Sequence, residues 1–112
     1  MSQILNVTTF LHNESVINIQ YSNIISIKHI QILHKCNHSH NEIIRINCNL
    51  LENEDNYGLI GHIFTNSKLD INDDEIYIDK YTDTIKFWLS DNNDNPINID
   101  EDIIINLMLL LE

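Results

Sequence analysis

Ile43-Ile44-Arg45-Ile46-Asn47-Cys48-Asn49-Leu50 alternates apolar and polar side chains with a period of two, and this stretch decides the fold class. Side chains of an extended chain point alternately to opposite faces. Ile44, Ile46, Cys48 and Leu50 therefore share one face, while Ile43, Arg45, Asn47 and Asn49 share the other. That is the signature of a half-buried strand. Residues 84–90 repeat it: Ile85, Phe87 and Leu89 point to a core, leaving Thr84, Lys86, Trp88 and Ser90 outside.

Working outward from these two segments, the chain divides at polar clusters, because Gly58, Gly61 and Pro96 are its only strong breakers. Clusters fall at residues 13–15, 21–23, 36–41, 52–58, 66–74 and 90–96, with a softer one at 100–102. The segments between them are rich in Ile, Val, Thr and aromatic residues, which suit strands. They predict strands near 4–11, 16–20, 24–34, 42–51, 59–65, 75–80, 83–90 and 102–111. Helical periodicity is poor throughout, and an excess of Ile over Leu and Ala disfavours helix. Eight short strands in a chain of 112 residues predict an all-β fold, an eight-stranded antiparallel β-sandwich of jelly-roll type. The length allows one domain, residues 1–112.

Two segments break the simple pattern. Ile25 and Ile27 are followed by Ile30 and Ile32, a change of phase that predicts a bulge near Lys28 and His29. The last segment is apolar on both faces. Ile103, Ile105, Leu107, Leu109 and Leu111 occupy one, and Ile104, Met108 and Leu110 the other. Such a strand has to be covered on both sides. Either the N-terminal segment roofs it, or Ile104, Met108 and Leu110 form a subunit interface, since an uncovered strip of that length invites association. Trp88, the only tryptophan, also falls on an outward face and is a second interface candidate.

Composition narrows the function classes. A formal charge of −11 opposes direct nucleic-acid binding, which requires basic patches. Hydrophobic residues make up 43% of the chain, enough for one core and against disorder. About a third of the residues are Ile or Asn and Ala is absent, a skew consistent with an AT-rich genome. Residues 1–10 lack the basic start of a secretory signal, and the run 103–111 is far shorter than the roughly 20 residues of a bilayer span. The expectation is a protein neither secreted nor inserted in a membrane, with Cys36 and Cys48 as free thiols.

His34, Cys36, His38 and His40 are the residues best suited to hold a metal, since imidazole and thiolate are preferred zinc ligands. On a straight strand, however, alternate residues diverge by about 6.6 Å, and the spacings of standard zinc sites are absent. A solvated, metal-free loop from His34 to His40 is expected. His38-Ser39-His40 followed by Glu42 resembles part of the ligand set of cupins, but the glutamate is too close and the second cupin motif is missing. No nucleophile motif, phosphate-binding glycine loop or dinucleotide fingerprint occurs. The sequence thus gives no enzyme, no cofactor and no small-molecule substrate.

The stretch from Asp83 through Phe87, Trp88, Asp91 and Pro96-Ile97 to Leu107 resembles the C-terminal hairpin of jelly-roll minor capsid and penton-type proteins of Polinton/Maverick elements, adintoviruses and virophages. Those proteins often end in a strand of the form Ile-x-Phe-x-Leu-x-Asp, a turn leading to Pro-Ile, and a final apolar strand. The resemblance covers residues 83–107; Asp100–Asp102 replaces the usual glycine, and the basic ending is absent. It implies a virion structural protein without an active site, packing against copies of itself as a homo-oligomer or against a major capsid protein. Two alternatives remain: an acidic nucleoplasmin-like histone chaperone or other binding jelly roll, and a cupin-like metal-dependent enzyme.

Overall fold

The computed structural model describes residues 2–34, 44–53, 56–63, 69–91, 93–99 and 103–112. Among these the fold is all-β and antiparallel, with strands β1 (Gln3–Leu11), β2 (Glu14–His34), β3 (Ile44–Asn53), β4 (Asn56–Ile63), β5 (Leu69–Asn72), β6 (Ile76–Ser90) and β7 (Ile103–Leu111). They join in one sheet of order β1-β7-β2-β6-β3-β4, with β5 paired to β2.

Among the described residues, seven strands in one sheet stand where eight in two sheets were expected. The segments 16–20 and 24–34 run together as β2, and 75–80 and 83–90 run together as β6. The polar cluster at Tyr21–Asn23 and the break expected between residues 80 and 83 are absorbed into the ladder as irregularities rather than turns. β5 was not anticipated, because its four residues lie inside a polar cluster read as a turn.

β2 shows how one sheet makes a closed core. A straight strand of its length would span about 66 Å, yet the molecule's longest dimension is 47 Å. β2 therefore bends, and its register shifts locate the bends. Against β6 the pairing slips between Asn18 and Ser22 and again between Ile24 and Ser26. Against β7 it slips between Ile24 and Ser26 and between Ile27 and His29, the second at the position predicted from the change of phase. β6 is irregular at Asp79, whose φ of 49° lies in the left-handed region that Asp tolerates better than most residues.

The bends divide the partners of β2. Glu14–Asn18 pair with Thr84–Trp88 of β6. Ile24–His34 pair with β7 on one edge, while Ser22–Ile27 take the first part of β6 and Ile30–Leu33 take β5 on the other. Inward residues from strands far apart in the order merge into one cluster. Val7 and Leu11 of β1, Ile30 and Ile32 of β2, Ile46 and Cys48 of β3, Phe87 and Leu89 of β6, and the odd-numbered residues of β7 all belong to it. A flat sheet cannot bury residues this way, so the sheet curls around its own inner face.

The alternation read from sequence holds at most positions, with Ile44 only half-buried and Asn47 and Ser90, expected outside, buried. Ile46, Cys48, Leu50, Ile85, Phe87 and Leu89 are buried, as are all five inward residues of β7. β1 lies beside β7 in the ladder, from Gln3 opposite Leu111 to Leu11 opposite Ile103, and not across its outer face. The predicted roof is thus an in-plane neighbour.

Candidate functional site

Ladder register builds the outward surface of β1, β7, β2 and β5 row by row. Phe10 is opposite Ile104, Ile104 is opposite Leu33, and Leu33 is opposite Leu69. Directly opposed side chains lie about 5 Å apart at Cβ, so these four residues form an unbroken apolar row across four strands. The next row, Thr8, Asn106, Gln31 and Ile71, is mostly polar, and Thr8 Oγ1 donates to Asn106 Oδ1 at 2.6 Å. Beyond it Asn6, Met108 and His29 align, with His29 Nδ1 in contact with the Asp73 carboxylate. Ile4 and Leu110 follow.

Exposure on this surface is high for its chemistry: Phe10 61%, Ile4 50%, Leu69 49% and Ile71 52%. Ile104, Met108, Leu110 and Leu33 are half-buried by their neighbours in the sheet. The three β7 residues singled out from sequence are therefore brought together on one surface. Phe10, Leu33, Leu69, Ile4 and Ile71 were missed. Even-number alternation in residues 4–10 already placed Ile4 and Phe10 outward, but Leu69 and Ile71 gave no signal without their strand.

Trp88 stands elsewhere. It lies opposite Glu14 and Asn47, on the part of the sheet formed by β2's first stretch, β6 and β3, away from the β7 trio. Its ring is half-buried, with Lys86 Nζ 5.8 Å from the ring centroid. Lys86 also lies 3.6 Å from the Glu14 carboxylate. A cleft of about 320 Å³ opens here, lined by Asn13, Glu14, Asn49, Lys86, Trp88, Leu89, Pro96 and Ile97. Its lining offers one cation, one carboxylate and two amides but no hydroxyl, thiol or imidazole.

Two asparagines hold this region in place. The ladder between β3 and β6 stops at Cys48 and Phe87, and the Asn49 side chain continues it, donating to the Thr84 carbonyl at 3.0 Å and accepting from the Lys86 amide at 2.8 Å. Asn47, almost fully buried, donates to the Trp88 carbonyl at 3.3 Å and to Ser90 Oγ at 2.9 Å.

The chain after β6 folds back over this side. The Asp91 carboxylate accepts from the backbone amides of Asn95 at 2.9 Å and Asn93 at 2.8 Å, and from Asn95 Nδ2 at 3.2 Å. Those bonds, that from the Asn95 amide foremost, hold the Asp91 carboxyl below the usual carboxylate range. Asp94, in the left-handed region at φ 62°, receives a bond from Arg45 at 3.0 Å. Ile97 N donates to the Leu89 carbonyl at 3.3 Å and Ile99 N to the His12 carbonyl at 3.0 Å.

The candidate metal residues separate. His34 is not in an exposed loop as expected: it is the last residue of β2, opposite Ile103, and only 3% exposed. The strand pattern that buries Ile30 and Ile32 buries it too. Cys36, His38 and His40 lie outside the described residues, as does Glu42. Among the described residues no group of three or more His, Cys, Asp or Glu side chains is placed to hold a metal ion. Cys48 is a free, buried thiol, and burial pushes its pKa up to about 12. Among the described residues no helix is long and apolar enough to cross a membrane. A scan against protein-family models finds none that matches this chain, and a search of curated proteins finds no match either.

Proposed function

We propose that this chain is a structural subunit of a virion, a single jelly roll of minor-capsid or penton type that works by self-assembly and by docking on a major capsid protein. The observation that carries the reading is the apolar row Phe10, Ile104, Leu33 and Leu69, laid across four strands of a protein with a formal charge of −11. Exposed apolar surface of this continuity marks a contact surface. The acidic remainder keeps association confined to it.

The strand pairings support the jelly-roll reading. Taking β2 and β6 each as two strands joined at their bends gives nine segments in two groups around one core, with β5 and the start of β6 sharing one edge of β2. One is β1, β7, the second part of β2, and β5 with the start of β6. The other is the first part of β2, the end of β6, β3 and β4. A jelly roll winds its eight strands into two sheets in this manner. The resemblance of residues 83–107 to capsid and penton-type proteins points the same way, and the turn at Asp91–Pro96 between two apolar strands is the feature it rests on.

The test is the double substitution Met108→Ser, Leu110→Ser. Both side chains are half-buried on the outward surface, so the subunit keeps its fold. Sedimentation of the wild-type chain is expected to show species larger than a dimer as concentration rises, and the double variant is expected to lose them while keeping its circular dichroism. Equal assembly of the two would refute the reading.

A further inference from the structure

β1 ends the strand order, and among the described residues its only ladder partner is β7. An edge strand presents a row of unpaired amides and carbonyls, and proteins usually protect it by brevity, a bulge, a proline or an inward charge. β1 has none of these. Its nine residues, Gln-Ile-Leu-Asn-Val-Thr-Thr-Phe-Leu, contain no charge and no proline. Its register with β7 runs from end to end without a shift. β5, by contrast, is four residues long, contains Asp70 and runs into Asp73, Asp74 and Glu75.

We infer that β1 pairs antiparallel with β1 of a second copy of this chain, about a two-fold axis through Val7. Outward residues must face outward residues, so the two residue numbers of each opposed pair sum to an even number. A sum of 14 is the one such register that uses all nine residues of both strands. It sets Ile4 opposite Phe10 of the second copy, and Phe10 opposite Ile4, as a two-fold contact demands. These are the two large apolar side chains of β1 that the subunit leaves in water. Between them Asn6 meets Thr8, polar against polar, and Val7 meets Val7 on the inner side. A shift by two residues in either direction breaks both apolar pairs.

Charge selects the same place. Two copies at −11 repel, yet residues 1–11 carry no Asp, Glu, Lys or Arg. Exposed charges beyond about 8 Å are largely screened at physiological salt, so β1 is where two acidic molecules can approach. The pairing also lengthens the apolar row, which then reads Leu69, Leu33, Ile104, Phe10, then Ile4 and Leu110 of the second copy. The inference stands independently of the virion reading.

Charge variants at the two exposed outward positions test it. Asn6→Lys, Thr8→Lys places lysine opposite lysine twice, and like charges directly opposed in a ladder are unfavourable. The wild-type chain is expected to sediment at twice 13.1 kDa in dilute solution. The lysine variant is expected at 13.1 kDa, with its dimer weakened at least tenfold and its circular dichroism unchanged. Asn6→Asp, Thr8→Asp should also be monomeric, and an equimolar mixture of the two variants should recover a dimer containing one chain of each. Met108→Ser, Leu110→Ser should retain this dimer, which separates the edge from the outward surface. A wild-type monomer, lysine variants that dimerise as well as wild type, or a mixture that stays monomeric would overturn the inference.

Discussion

The outward surfaces of this molecule are finished in opposite ways. Behind β6 and β3 the chain supplies its own cover: Asp91 to Ile99 folds back, Arg45 reaches Asp94, and Asn47 and Ser90 are buried and hydrogen-bonded to each other. Behind β7 nothing among the described residues plays that part, and Phe10, Leu69 and Ile71 are 61%, 49% and 52% exposed. Two apolar-rich strands can thus have different meanings. Trp88 is half-buried with polar cross-strand neighbours, Glu14 and Asn47, and Lys86 near its ring, whereas Ile104 faces outward between Phe10 and Leu33, and Leu110 beside Ile4. A greasy outward residue marks a contact surface when its cross-strand neighbours are greasy too.

The largest effect that sharpens this contrast is a pair of phenylalanine truncations. Phe87 is fully buried and Phe10 is 61% exposed. Phe87→Ala is expected to cost about 3–5 kcal/mol in urea denaturation, and Phe10→Ala about 0.5 kcal/mol or less in the isolated subunit. Similar losses for both would break the distinction between inner and outer faces.

Cys48 probes the inner face through pH. Its pKa is pushed up to about 12, first by burial, against a smaller opposing effect of Lys80 and the Leu50 backbone. A raised folded pKa means that the folded state holds its proton longer than the unfolded one, whose thiol titrates near 8.5. The stability this thiol contributes is therefore intact below about pH 8.5 and is lost as pH rises toward 12. Denaturation curves should fall more steeply with alkaline pH for wild type than for Cys48→Ala, and the native thiol should resist alkylation at pH 8. Equal slopes would mean that the site is open to water.

The closed surface has its own test at Asn47. Asn47→Ala removes bonds to the Trp88 carbonyl and Ser90 Oγ in a buried place. It should cost about 1–3 kcal/mol. Asn106→Ala, on the open surface, should cost less than about 0.5 kcal/mol despite its bond from Thr8.

How much of this was legible in the sequence depended on what each residue's neighbours decide. The inner face was readable because period-two alternation is a local property, and Ile46, Cys48, Ile85, Phe87 and Leu89 are all buried. The bulge near Lys28 was readable because a phase change in the apolar pattern is local as well. The number of strands was not, since β2 and β6 pass through clusters such as Tyr21-Ser22-Asn23 without breaking their ladders, absorbing them as register shifts. Nor was the apolar row legible, because it is made by register between strands distant in sequence: Phe10, Ile104, Leu33 and Leu69 are unrelated until paired. His34 was misread for the same reason, as its place opposite Ile103 outweighs the polar stretch that follows it.

The smallest expected effect concerns the returning segment. Asp91 is held below the usual carboxylate range, chiefly by the Asn95 amide. A depressed folded pKa contributes order above the ordinary carboxylate range and loses it as pH falls through the folded value. Acidification should therefore loosen the Asp91–Asn95 turn and alter Trp88 fluorescence, since Pro96 and Ile97 line the cleft beside the indole. Asp91→Asn should show the altered fluorescence already at neutral pH, with little change in global stability.

The contrast between the two outward surfaces is tested most directly by oxidative footprinting of one sample across concentration. The account predicts that Met108 is oxidised readily at about 1 µM and is protected severalfold at about 100 µM, where assembly closes its surface. Trp88, half-buried in its cleft on the other part of the sheet, should react at one rate throughout. Protection of Trp88 with Met108 unchanged would place the contact on the wrong surface and contradict the account.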